Sequence, residues 1–345
     1  MRHPVIEADC RDLAAARLPF AKLKGKTILV TGAAGFVPAG LVEFFLSMNE
    51  ARGLKLRVIG TCRDLAKAKR RFSHYAGRPD LKLLRADAGR ALTVPGPVDH
   101  IFHAASQASP KFYGPDPVGT LAPNVLGTAH LLELARAKKS SLLFFSSSEV
   151  YGAVHKERLK EEDAGLVDPL DVRACYSESK RMGETLCAAW HRQHGVPAYI
   201  VRLFHTYGPG MALDDGRVFA DFVSDLVAGR DIVVRGDGKA IRAYCYASDA
   251  AAGILTVLLK GEPAVAYNVG NDEAEASVWE LAVRLAKIFP EKKLKASRVP
   301  RPAGSGYKAS PFHRLCPDVS RLRALGWAPR RGLEEGFART VRYYS

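Results

Sequence analysis

Thr27-Ile28-Leu29-Val30-Thr31-Gly32-Ala33-Ala34-Gly35-Phe36 is the stretch that decides the fold. Its apolar run Thr27-Ile28-Leu29-Val30 reads as a strand buried on both faces. The glycines then mark a tight turn, and residues 36–48 read as an amphipathic helix. A turn of this kind offers backbone N–H groups and the positive end of the helix dipole to an anion. Gly32, Ala34, Gly35, Phe36 and Val37 are therefore candidates to hold the pyrophosphate of a dinucleotide. An ordinary strand-to-helix turn is the competing explanation. Where a third glycine would allow close packing of helix on strand, the chain has Pro38. Proline is tolerated in a first helical turn, so a local adjustment is expected there.

Outward from this turn the pattern alternates. Further strands are predicted at residues 56–60, 81–84, 100–103, 141–145 and 198–202. Helices are predicted at 124–137 and 176–194, the second stopped by Gly195 and Pro197. Such alternation implies an α/β fold, a doubly wound parallel sheet of the Rossmann type. Residues 26–202 would form mainly the dinucleotide-binding domain. Beyond Arg202 the chain turns to loops rich in Gly, Asp and Pro. Residues 203–345 would form mainly a smaller, irregular substrate lobe, with some segments returning to the sheet. Residues 1–25 would be a helical or irregular N-terminal extension.

The 345 residues carry 51 Lys and Arg against 36 Asp and Glu, a net charge of +15. The basic residues are dispersed, and the one dense cluster, Lys67-Ala68-Lys69-Arg70-Arg71, reads as a solvated helix face. No nucleic-acid partner is expected. The excess of positive charge suits a substrate with phosphates and a carboxylate. No apolar run reaches the roughly 18 to 20 residues of a membrane span, and the N-terminal mixture of Glu7, Asp9, Arg11 and Asp12 does not read as a secretory signal. A cytoplasmic protein without a membrane partner is expected. Six scattered cysteines, with no Cys-x-x-Cys pair, argue against a disulfide framework and a metal site.

Tyr176-Ser177-Glu178-Ser179-Lys180 places a phenol and an ammonium one helical turn apart. The lysine charge favours the phenolate and so lowers the cost of using Tyr176 as a general base. Ser147, Ser148 and Glu149 follow the fifth strand, at the carboxyl edge where ligands bind in such sheets. A hydroxyl there can bond a reacting oxygen and share its proton with Tyr176. The second strand ends in Thr61-Cys62-Arg63-Asp64, where an acid normally meets the adenosine ribose. If Cys62 fills the place of the acid, Arg63 could meet a 2′-phosphate; Asp64 could also substitute one position late. NAD is the expected cofactor, with NADP left open by Arg63. Asp87 is a candidate for the adenine amino group, or a plain surface residue.

Taken together, these motifs resemble the extended short-chain dehydrogenase/reductases acting on nucleotide sugars, and most closely their UDP-glucuronate decarboxylase (UDP-xylose synthase) branch. The resemblance rests on His103-Ala104-Ala105-Ser106-Gln107-Ala108-Ser109-Pro110, on Thr120-Leu121-Ala122-Pro123-Asn124 and on Ser147-Ser148-Glu149-Val150-Tyr151-Gly152. It continues in Arg173-Ala174-Cys175-Tyr176-Ser177-Glu178-Ser179-Lys180-Arg181 and in Ile241-Arg242-Ala243-Tyr244. It implies that Tyr176 takes the proton of the sugar 4-hydroxyl while hydride passes from C4 to NAD⁺. Carbon dioxide then leaves from the 4-ketone, and reduction follows. Lys180 would bind the nicotinamide ribose, Ser148 would orient O4, and Glu149 would act in ring distortion or proton steps. Ala104, Ala105, Ser106 and Asn124 would contact the cofactor. Ser109, Tyr113, His205, Arg217, Arg235 and Arg242 would contact a nucleotide sugar, with UDP favoured. The related 4,6-dehydratases use an Asp where Ser148 stands, so dehydration lacks its acid.

The chain departs from that pattern at His205 (for Asn), Gly210 (for Arg), Arg235 (for an aromatic residue) and Ala240-Ile241 (for Gln-Thr). Relatives of this kind pair as homodimers, and the apolar faces around Leu131 and Leu186 would suit this; core burial within one subunit explains the same pattern. Nucleotide-sugar 4-epimerase, other nucleotide-sugar oxidoreductase or dehydratase activity, and non-catalytic dinucleotide binding are the competing functions. The Tyr176, Lys180 and Ser148 set speaks against the last.

Overall fold

The computed structural model describes residues 2–300 and 313–345. Six strands, β1 (Thr27–Thr31), β2 (Arg57–Cys62), β3 (Leu81–Arg85), β4 (His100–His103), β5 (Ser141–Ser147) and β6 (Ala198–Leu203), join Ala266–Val269 in one parallel sheet. Its order is Ala266–Val269, β6, β5, β4, β1, β2, β3. The chain thus winds outward from β1 to β3, then crosses to β4 on the other side of β1. Between β1 and β4 the winding reverses, and a crevice forms there at the carboxyl ends.

The helices begin and end for local reasons. α1 (Pro4–Ala14) starts with proline in its first turn. α2 (Phe36–Arg52) follows extended Gly35 and stops at left-handed Gly53. α3 (Leu65–Arg71) is capped by Asp64, whose carboxylate accepts from the Lys67 N–H at 2.8 Å. α4 (Pro117–Lys138) begins earlier than predicted because Asp116 caps it and Pro117 opens it, while Pro123 is absorbed in its interior. α5 (Ala174–His194) ends at left-handed Gly195. Pro38 causes no break in α2: it lies in the first turn, where the backbone N–H has no helical partner in any case.

The extension is part of the core. Ile6, Cys10 and Leu13 of α1 bury against the same cluster as Phe44, Phe45 and Leu255. The lobe after β6 builds its own cluster from Phe219, Phe222, Leu226, Tyr244, Leu281 and Phe337, with short two- and three-stranded sheets around it. Leu131 and the partly buried Leu186 pack with Phe144 and Ile200 on one side of the main sheet, the core reading of their pattern. All six cysteines are buried and free. Among the described residues, no helix is long and apolar enough to cross a membrane.

Candidate active site

A cleft of about 1710 Å³ is lined by the carboxyl ends of the strands and by the irregular lobe. Single small-ligand sites run to roughly 300–1,000 Å³, so this one has room for a dinucleotide and a second nucleotide-sized molecule. It is lined by every sequence-predicted site residue except Asn124. Asn124 is buried outside it, its amide donating to Thr120 O and Ser179 Oγ, both at 3.0 Å. The side-chain amide thus ties α4 to α5, while its Oδ1 is buried without a partner.

At the dinucleotide end, Gly32 has φ of +65°, and a Cβ there would lie 2.8 Å from the Ala105 Cα. Both backbone conformation and close approach demand glycine. The Gly35 N–H bonds Gly32 O at 2.8 Å and closes the turn. Phe36 and Val37 then occupy the first helical positions, whose N–H groups have no carbonyl partner within the helix. Ser106 Oγ is buried without a protein partner in the same wall. Asp87 is held by the Gly89 N–H at 2.9 Å and faces the cleft with Arg63. A pyrophosphate and its adenosine fit this cradle.

His103, noted in the sequence only as part of a longer motif, braces the same wall. Its Nε2 lies 2.9 Å from Pro123 O, a pure acceptor, so the proton sits there. Nδ1 then accepts from the Thr31 hydroxyl at 2.9 Å, and Thr31 Oγ1 accepts from the Ala105 N–H at 3.1 Å. Burial pushes His103 down to about 3, helped by the Lys180 charge. The imidazole stays neutral and structural.

Tyr176 and Lys180 lie on the first turns of α5, both buried. The hydroxyl bonded to the Tyr176 phenol is that of Ser147, with Ser148 buried beside it in the cleft wall. Burial pushes Tyr176 up to about 12, opposed by the Ser147 bond, reinforced by the Glu149 carboxylate and opposed again by Arg217. Lys180 donates from Nζ to Phe145 O at 2.6 Å and lies 5.7 Å from the centre of the Tyr176 ring. Burial pushes the lysine down to about 7, against the raising effect of Glu184. The Lys180 charge does not figure among the causes of the Tyr176 shift, which burial dominates. Burial disfavours both charges, and the ammonium is directed at a backbone carbonyl.

Around this pair stand Tyr113, expected as a substrate contact, and Arg173, which the sequence left unassigned. Tyr113 stacks on Tyr176 with 5.1 Å between centroids and 14° between planes. Arg173, three residues before Tyr176, covers Tyr113 at 5.7 Å and donates from Nη2 to Glu149 Oε1 at 3.2 Å. Its position within a motif was visible in the sequence, but its carboxylate partner was not.

On the lobe side, Ser109 donates to Asp215 O and Arg217 pairs with the Asp215 carboxylate. Arg242 Nη1 donates to Ile241 O at 2.7 Å and His313 O at 3.2 Å. His205 meets Phe219 and Tyr244 edge-on, and its Nδ1 is buried without a partner. Burial, then the charges of Arg242 and Arg217, holds its pKa well below the ordinary value. Arg235 lines the outer wall. Gly210 stands at φ +81°, and a Cβ on it would collide with the Arg71 guanidinium. The space beside Gly210 is filled by the Arg71 guanidinium reaching across from α3.

A glycine cradle, a buried tyrosine–serine pair and a nearby lysine at the switch point define a dinucleotide-dependent oxidoreductase type of site. Residues 28–270 match the NAD dependent epimerase/dehydratase family, to which the chain belongs. It is similar to UDP-glucuronic acid decarboxylase 6 of Arabidopsis thaliana, 38% identical over 311 residues that cover 90% of this chain and 86% of the relative. Similarity to UDP-glucuronic acid decarboxylase 1 of Xenopus tropicalis is 36% over 327 residues, or 92% and 72% of the two chains. Among solved structures, the fold is similar to that of UDP-glucuronic acid 4-epimerase from Bacillus cereus in complex with UDP-glucuronic acid and NAD. That likeness has a TM-score of 0.74 at 23% identity and covers 92% of this chain and 98% of that one.

Proposed function

We propose that this chain is a nucleotide-sugar decarboxylase acting on UDP-glucuronate. The observation that carries this is the meeting of Tyr176, Ser147 and Glu149 with the Gly32–Gly35 cradle in one cleft. Ser148 stands where a dehydratase would need an acid, and relatives matching nine-tenths of the chain are decarboxylases of this sugar.

Residues 203–345 supply most of the nucleotide-sugar side, and Gly32, Gly35, Phe36, Val37, Ala105 and Ser106 hold the dinucleotide. Bound NAD would accept the C4 hydride and later return it, so that the C4 ketone lies β to the C5 carboxylate and carbon dioxide can leave. Tyr176 removes the proton from the 4-hydroxyl and gives one back. Ser147 bonds the phenol and fixes its lone-pair direction. Glu149, oriented by Arg173, handles proton steps near the ring, and Arg217 and Arg242 neutralise phosphates or carboxylate. Buried and neutral, His205 offers an imidazole edge to the nucleotide rather than a charge. Val118 and Leu126 on α4 and Met182 on α5 remain 72, 54 and 47% exposed, an apolar face that suits pairing of two copies. Six free cysteines suit a reducing, cytoplasmic setting.

Incubation with UDP-glucuronate and NAD⁺ tests the assignment. Carbon dioxide and a UDP-pentose, detected by mass spectrometry, are the expected products. Recovery of an epimerised UDP-hexuronate with its carboxylate intact would replace decarboxylase by 4-epimerase.

A further inference from the structure

On the lobe side of the cleft, two polar atoms are buried and lack a partner among the described residues: His205 Nδ1 and the Tyr244 hydroxyl. We infer that Tyr244 is a positioning residue for substrate binding. Its hydroxyl donates to His205 Nδ1 when a nucleotide sugar fills the cleft. That bond fixes the imidazole proton on Nε2 and makes this nitrogen the donor to a ligand oxygen. The role rests on the nucleotide-sugar reading of the cleft and deepens it.

The backbone puts the two rings side by side. His205 immediately precedes the strand Thr206–Tyr207, and Tyr244 immediately precedes Cys245–Tyr246. These strands pair in parallel, Cys245 opposite Thr206 and Tyr246 opposite Tyr207. The Cys245 N–H donates to His205 O at 2.8 Å. One residue back in the same register, Tyr244 stands beside His205. Paired strands lie about 4.8 Å apart, and the two ring centroids are 6.2 Å apart. At that separation a side-chain rotation joins hydroxyl to nitrogen.

The surroundings are aromatic. Phe219 meets both rings edge-on, and Phe337 meets Tyr244 in the same way. A buried donor and a buried acceptor left apart there are costly. Burial and the positive charges of Arg242 and Arg217 keep the imidazole neutral, so one ring nitrogen accepts and the other donates. The Tyr244 hydroxyl decides which, because the nitrogen that accepts from it cannot carry the proton. An asparagine, which His205 replaces in the pattern this chain resembles, needs no such partner: its amide nitrogen always donates.

Calorimetric titration of the purified full chain with UDP tests this. Tyr244→Phe should weaken UDP about fivefold or more. In a His205→Asn chain the same Tyr244→Phe change should alter UDP affinity by less than about twofold. NAD⁺ binding should stay within about twofold of wild type in every variant, which separates the effect from misfolding. Nitrogen-15 NMR of the histidine rings gives a second readout, with the His205 signals identified by their loss in His205→Asn. They should show the proton on Nε2 in the UDP-bound wild type and a mixture of tautomers in Tyr244→Phe. Equal weakening by Tyr244→Phe in both backgrounds, no weakening in either, or a tautomer that Tyr244→Phe leaves unchanged overturns the inference, while the nucleotide-sugar assignment stands. Failure of wild type to bind UDP removes the two together.

Discussion

Tyr113 and Tyr176 lie face to face, 5.1 Å apart and within 14° of parallel, with Arg173 over the outer ring. Tyr113 donates its own hydroxyl to Ala108 O at 3.2 Å, so it is anchored from below while it limits the rotation of Tyr176. Stacked pairs contribute about 0.5–1.5 kcal/mol beyond burial. Tyr113→Leu should therefore lower kcat by about tenfold, and KM for the sugar nucleotide much less. Tyr113→Phe keeps the ring and should stay within about threefold of wild type. Equal losses in the two variants would show that the hydroxyl, not the stack, matters.

The two adjacent serines make a sharper test. Tyr176→Phe should reduce turnover at least about a hundredfold, the usual scale of a general base. Ser147→Ala should come within about tenfold of that loss, because it removes a hydroxyl that holds the phenol pKa down. Ser148→Ala should cost less than Ser147→Ala in steady-state kinetics on UDP-glucuronate. The reverse ranking would give Ser148 the larger part.

The sequence placed both serines at the site but did not say which of them bonds the phenol. Consecutive residues leaving a strand face different sides, and a run of serines does not reveal which one meets a helix packed against its end. Features set by local patterns were legible: the strand-glycine-helix turn at Gly32, the stop at Gly195, and the Tyr176–Lys180 spacing. Features made by distant segments were not. Arg71 covering Gly210, Asn124 turned toward Ser179, and Leu131 packed on the main sheet all depend on chain crossings. A motif places a residue near a site; only packing decides whether it enters it.

The Glu149–Arg173 pair governs the phenol from the side. Glu149 raises the Tyr176 pKa, and Arg173 stands 3.2 Å from that carboxylate. Replacing Arg173 by Gln leaves the negative charge less compensated and makes the phenolate harder to form. The ascending limb of kcat/KM against pH should then move to higher pH by about half a pH unit or more. Glu149→Gln should move the limb to lower pH while reducing kcat. If neither variant displaces the limb, the carboxylate does not act on the base.

Lys180 makes a stability prediction that involves no chemistry. Its folded-state pKa of about 7 lies below the roughly 10.4 of an unfolded lysine. Between these values the unfolded chain holds the proton and the folded chain releases it, so ν_U exceeds ν_N and stability rises with pH. Below about pH 7 both states are protonated, and the cost of burying the ammonium is present in full. Lys180→Met removes that cost and also the bond to Phe145 O, but only the first effect depends on pH. Urea unfolding without added ligand should thus show the variant gaining most on wild type near about pH 6, with the difference shrinking by on the order of a few kcal/mol toward about pH 10. Parallel stability curves would mean that the lysine stays charged in the folded protein, and with it the support that Tyr176 was first expected to draw from that ammonium.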